Sequence, residues 1–148
     1  MKREVNPDLS YNMEGVINGG TFSSFVERLT MHDLPYDPLF SNAFLMTFHL
    51  FGTSEEMFEL LIKRFLMIPP ENLSQDELKL WVGKKLGPTQ VYVCQVLKNW
   101  MENYWIEDKD DICLDNIYSF STGPMMQAQP GLASRLQEMV SRRVRDIY

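Results

Sequence analysis

The chain has 148 residues, 45% of them hydrophobic and 23% charged, and a formal net charge of −6. This is the length of one domain with one core and the composition of a folded globular protein. The negative balance argues against nucleic acid as a partner, because nucleic-acid binders present a basic face. Cys94 and Cys113 are the only two cysteines, which is no disulfide framework and points to a reducing compartment. The opening MKREVNPDLSYNMEG lacks the apolar stretch of a signal peptide, and no uninterrupted apolar run approaches the ~20 residues of a membrane span. The expectation is a soluble, cytoplasmic domain with no transmembrane segment.

Residues 1–20 are polar and read as an N-terminal arm. Gly19-Gly20 marks a turn and Thr21 is placed to cap a short first helix, in which Phe22, Phe25, Val26 and Leu29 recur at helical spacing. HDLPYDPLF is a connector ending in a start signal, with Asp37 at the N-cap and Pro38 at the first helical position. Phe40, Ala43, Phe44, Thr47, Phe48 and Phe51 then fall on one helical face. Gly52 reads as the stop, in the left-handed conformation that glycine tolerates. TSEE opens the next helix with a capping box of Thr53 and Glu56. Its buried face reads as Met57, Phe58, Leu61, Ile62 and Phe65, and so short a joint makes the two helices neighbours.

Pro69-Pro70 breaks the chain. SQDE forms a second box, Ser74 with Glu77, starting a helix expected to reach about Leu86 and to stop at Gly87-Pro88. Thr89 to Trp105 reads as a long helix lined by Val93, Val96, Leu97, Trp100, Met101 and Tyr104. Glu107 to Asp111 reads as a solvated acidic turn. A short helix around Leu114–Phe120 leads to a loop, STGPMMQAQPG. The last helix carries Leu132, Leu136, Met139, Val140 and Val144, with Arg142, Arg143 and Arg145 near its end, where cations suit the dipole. No segment alternates convincingly at period two. The fold class expected is all-α, an irregular bundle of six to seven helices.

No residue set has the spacing of a catalytic or metal centre. His32 and His49 read as surface histidines, since neither has a second ligand at metal spacing. Cys94 sits inside a helix away from any anion site, and Cys113 sits among acids that disfavour a thiolate. Gly83-Lys84-Lys85 matches a phosphate loop only in Gly-Lys. EDKDDICLD lacks the glycine of a calcium loop. No cofactor and no metal are expected. What remains is an excess of apolar side chains: Phe48, Leu50, Phe51, Phe58, Leu60, Leu66, Met67 and Ile68 spread wider than one helical face needs, which suggests an interaction surface.

Three separated blocks, GGTFSSFVERLT, DPLFSNAFLMTFHLFGTSEEMFELLIKRF and PTQVYVCQVLKNWMENYW, resemble in order and spacing the Ras exchanger motif domain. This is the N-terminal domain of Ras-family guanine-nucleotide exchange factors. Gly20-Thr21, Phe44-Leu45, Thr47-Phe48, Phe51, Thr53, Glu55-Glu56, Val96-Leu97-Lys98, Trp100 and Glu102 fit the family pattern. The Pro-Pro insert before Ser74 looks like the fungal members. The likeness covers roughly residues 16–120, and it implies an arm over 1–15 and a domain over 16–148.

The resemblance implies a non-enzymatic domain that braces a larger catalytic exchange domain of the same polypeptide, the part that opens the nucleotide site of a Ras-family small GTPase. It implies work in the cytoplasm, with recruitment to the membrane periphery. Two departures, His49 where Arg is common and Gly52 where Thr is common, fall at what read as surface or turn positions. Some members bind a second, regulatory GTPase through a Leu-Arg pair where this chain has Val91-Tyr92. The expected protein-interaction residues are Phe48, Phe51, Phe58, Val91 and Tyr92. The alternative is a stand-alone helical adaptor that binds a small GTPase or another protein.

Overall fold

The computed structural model describes residues 9–11, 17–34 and 37–147. Most of the expected N-terminal arm lies outside them. The described part of the arm forms a short antiparallel ribbon, β1 (Leu9–Tyr11) paired with β2 (Ile17–Gly20), irregular between Ser10 and Tyr11. Strands this short carry too few positions for alternation to show in sequence. Among the described residues every regular element after the ribbon is a helix, and the all-α class holds.

Helix α1 (Phe22–Leu29) starts at Thr21, whose hydroxyl accepts from Ser24 N at 3.1 Å. α2 (Pro38–Thr47) starts at Asp37, whose carboxylate accepts from Phe40 N at 3.0 Å, and Pro38 occupies its first turn. A 3₁₀ turn, Phe48–Leu50, extends it. α3 (Ser54–Phe65) carries the full capping box of Thr53 and Glu56. Gly52 between them serves a different purpose from the one expected. Its φ is not left-handed, but a Cβ there would stand 3.0 Å from the Phe22 ring. The glycine suits the close approach of the Phe22 side chain to the turn, which a Cβ would crowd.

After the Pro69-Pro70 break the left-handed residue is Asn72, at φ 63°, a conformation asparagine tolerates better than most residues. α4 (Gln75–Trp81) has the second capping box, Ser74 with Glu77. The expected stop at Gly87-Pro88 does not occur. A π turn, Val82–Leu86, leads straight into α5 (Gly87–Asn103), so helix runs without a break from Gln75 to Asn103. In the wider turn Gly87 N–H bonds the carbonyl of Val82, and a Cβ on Gly87 would sit 3.3 Å from that oxygen. Pro88 directly follows this π turn, whose altered bonding pattern accommodates the missing N–H inside a continuous helix.

α6 (Glu107–Asp110), a 3₁₀ turn (Asp111–Cys113) and α7 (Leu114–Thr122) follow. The segment expected as a loop contains α8 (Pro124–Ala128), and α9 (Pro130–Ile147) closes the chain. Pro124 and Pro130 each begin a helix, a position that suits proline as well as a loop does. α9 packs along α7 and touches α8 and α5.

The core is strongly aromatic. Phe44 contacts Phe22 and Phe25 at ring separations of 5.6 Å. Phe48 meets Trp100 edge-on at 5.5 Å, and Phe65 meets Phe120 edge-on at 4.8 Å. Such pairs contribute beyond their buried area. Thr30, fully buried, ties α1 to α3 by accepting from Arg64 Nε at 2.8 Å. At the other end Arg143 lies over the Trp105 ring, 5.1 Å from its centre, and donates to the Met101 carbonyl.

Phe48 is fully buried, so Phe48→Ala is expected to cost about 3–5 kcal/mol. Leu80→Ala, at an exposed position, is expected to change stability by less than about 0.5 kcal/mol. Urea midpoints of the two variants, at constant m-value, check the contrast.

Candidate docking surface and the buried junction behind it

α2 has two apolar rows. The inner row, Phe44, Leu45 and Phe48, is buried. The outer row is Leu39 and Met46, at i and i+7, followed by Leu50 on the 3₁₀ turn, and all three are exposed, Leu39 at 83% and Leu50 at 80%. Phe51 continues this row at the turn and is also exposed, as are Leu66 and Ile68 just past α3. Soluble surfaces carry isolated apolar side chains, but a row along one helix is the mark of a contact face.

The expected interaction residues divide accordingly. Phe51 is exposed and belongs to the outer row. Phe48 and Phe58, at 0% and 8% exposure, are corrected to core residues with no ring surface to offer a partner. Sequence periodicity alone does not separate Phe48 from Phe51, because the 3₁₀ turn after Thr47 shifts the helical phase. Val91 and Tyr92 are half-buried on the first turns of α5. Tyr92 lines a cleft of about 420 Å³ between α1, α2 and α5, with Leu29, Asn42 and Asn99 among the other walls. The structure therefore places Tyr92 in a groove, separate from the outer row of α2.

The turn that carries Leu50 and Phe51 is held from behind by Asp110. This residue is fully buried, which corrects the solvated acidic turn expected for 107–111. Its Oδ1 accepts from Ser54 Oγ at 2.5 Å, and its Oδ2 accepts from Ile106 N at 2.7 Å and from Trp100 Nε1 at 3.1 Å. His49 Nε2 stands 3.1 Å from the same Oδ1. His49 is thus no surface histidine, and only 9% of its side chain is exposed. One carboxylate joins the α2–α3 turn, α5 and the segment before α6. The signal missed in sequence was Trp100 with Asp110: a buried indole N–H needs an acceptor, and an acidic residue stands one short loop away.

Burial lowers the His49 pKa below 6.5, against the opposing pull of Asp110 and with the added repulsion of Lys109. Burial also pushes the Cys94 thiol up to about 12, and burial together with Asp110 and Glu55 does the same for Cys113. Thiols held in that state are poor nucleophiles. Among the described residues no group of three or more His, Cys, Asp or Glu could hold a metal ion, and no helix is long and apolar enough to cross a membrane.

The family model described as the RasGEF N-terminal motif matches residues 16–120, which run from β2 into α7. The chain belongs to the RasGEF N-terminal motif family. It is 31% identical over 136 residues to cell division control protein 25 of Saccharomyces cerevisiae, covering 92% of this chain and 8% of that protein. It is 38% identical over 98 residues to cell division control protein 25 of Candida albicans, covering 66% of this chain and 7% of that one. It is 28% identical over 141 residues to guanine nucleotide exchange factor SDC25 of S. cerevisiae (strain YJM789), covering 94% of this chain and 11% of that protein. The chain thus spans 7–11% of the length of these fungal relatives.

Two measurements check the junction. Asp110→Ala strands the Trp100, Ser54 and Ile106 donors and is expected to cost about 3–5 kcal/mol, read as a fall in urea midpoint. For His49, the unfolded chain binds the proton as pH falls through 6.5 while the folded imidazole resists it, so stability drops as pH falls through that value. Melting curves between pH 7.5 and pH 5.5 should show this drop, and His49→Gln should remove most of it.

Proposed function

We propose that this chain is the non-catalytic N-terminal domain of a Ras-family guanine-nucleotide exchange factor, with its domain over 16–148. It braces the catalytic exchange domain of the same polypeptide, which acts on a Ras-family small GTPase in the cytoplasm, recruited to the membrane periphery where that GTPase works. The observation that carries the reading is the outer row of α2 with the adjoining turn: Leu39, Met46, Leu50 and Phe51, exposed on a helix and turn that Asp110 holds from behind. A rigid element that presents an apolar row suits docking against another domain better than it suits chemistry. The exchange-factor name of a relative that this chain matches over 94% of its own length supports the same reading.

The test is release of fluorescent GDP from a panel of Ras-family GTPases. The chain alone is expected to accelerate none of them. Joined to the catalytic domain of a fungal exchange factor, it is expected to raise that domain's rate. Leu50→Asp combined with Phe51→Asp should lower the joined protein's rate about tenfold, equivalent to about 1.4 kcal/mol, with an unchanged melting temperature for the isolated chain. Acceleration by the chain alone would overturn the non-catalytic assignment. A joined protein no faster than the catalytic domain alone would favour a stand-alone helical adaptor.

A further inference from the structure

We infer that residues 66–88 form a hinged flap, which opens as a unit while the rest of the domain stays folded. The flap runs from the end of α3 through the Pro69-Pro70 break, α4 and the π turn to the start of α5. Phe65 and Thr89, at 2% and 0% exposure, bound it, and no residue between them is buried. Its two ends stand together, because Gln90 Nε2 donates to the Phe65 carbonyl at 3.1 Å. The chain thus leaves the core and returns to it at one clasp.

Local stability follows buried apolar contact, and segments with little of it open at a lower free energy than the core. Here the core stops abruptly at both ends of the segment. α4 packs chiefly on the π turn that follows it, and a helix of its length is marginal on its own. The π turn interrupts the regular bonding ladder of the helix. It contains Gly83, with open space around it, and ends at Gly87. Glycine loses more conformational freedom on ordering than any other residue. The continuous helix from Gln75 to Asn103 therefore has its weak point at this turn, just before Thr89 enters the core.

The flap is also one wall of a cleft. Leu66, Met67 and Ile68 line a cavity of about 410 Å³ whose other walls include Val26 of α1 and Leu60 of α3. The first wall belongs to the flap and the others to the body, so opening of the flap widens the cleft.

Amide hydrogen exchange of the 148-residue chain, followed across low urea concentrations, tests the proposal. Amides of α4 and the π turn are expected to exchange faster than those of α5 beyond Thr89, with little dependence on urea. Amides in the buried part of α5 should show the full urea dependence of global unfolding. Gly83→Ala should slow exchange in α4 about fivefold and leave the melting temperature of the domain unchanged. A second measurement reads the cleft. Cys94 and Cys113 are fully buried, so nitroxides can be directed to exposed positions by Ser23→Cys with Ile68→Cys, and by Ser23→Cys with Glu59→Cys as the control within the body. Spin–spin distances should be broadly distributed for the first pair and narrow for the second. Exchange in α4 with the protection and urea dependence of α5 would overturn the flap, and a Gly83→Ala chain with unchanged α4 exchange would overturn the hinge. A Ser23–Ile68 distribution as narrow as the control would overturn the moving wall.

Discussion

The buried carboxylate of Asp110 is the constraint on which the arrangement of the hairpin depends. A charge or a polar group taken out of water without partners costs several kcal/mol. Here the hydrogen-bond donors come from three places in the chain: Ser54 at the start of α3, Trp100 from α5, and the backbone of Ile106, while His49 Nε2 stands 3.1 Å away without a hydrogen bond. The carboxylate therefore acts as a positional lock, and the hydrophobic core supplies the driving force around it. Phe48 stands next to the lock, against both the His49 ring at 4.0 Å and the Trp100 ring at 5.5 Å. Ring packing and the Asp110 hydrogen bonds thus meet at this point.

The lock also explains why apolar side chains can stand exposed on the far side of α2. Leu39, Met46, Leu50 and Phe51 would be a liability on a mobile segment, which could fold them back onto the core. On a helix whose other row is Phe44, Leu45 and Phe48, and whose turn is pinned by Ser54, they have no such route. Gly52 adds to this rigidity, since the Phe22 ring lies where a side chain would be. α2 thus carries the core contact and the outer surface on opposite rows of a single helix.

The second half of the molecule shows a different use of helix geometry. The π turn between α4 and α5 accommodates Gly87 and Pro88 without ending the helix, because one extra residue in the turn removes the need for the usual bonding pattern there. The consequence is mechanical. The buried α5, with Val93, Leu97, Trp100 and Met101 in the core, continues directly into an α4 with none of its residues buried. α4 thus takes its direction from α5.

Local structure was legible in the residues wherever a short-range rule decided it. The N-caps at Thr21, Asp37, Thr53 and Ser74 are where the residue types place them, because a cap is an interaction across three positions and needs nothing from the rest of the chain. The all-α class and the family likeness over residues 16–120 were legible for the same reason, since both rest on spacing along the chain. Tertiary structure decided the rest. Which phenylalanines face inward depended on the 3₁₀ turn at Phe48–Leu50, and whether Gly87-Pro88 stops a helix depended on the π turn before it. Asp110 and His49 read as surface residues, and only the meeting of the α2–α3 turn with α5 turned them into the centre of the molecule. Burial belongs to the assembled chain, and a polar residue has no burial until its partners, tens of residues away, have arrived.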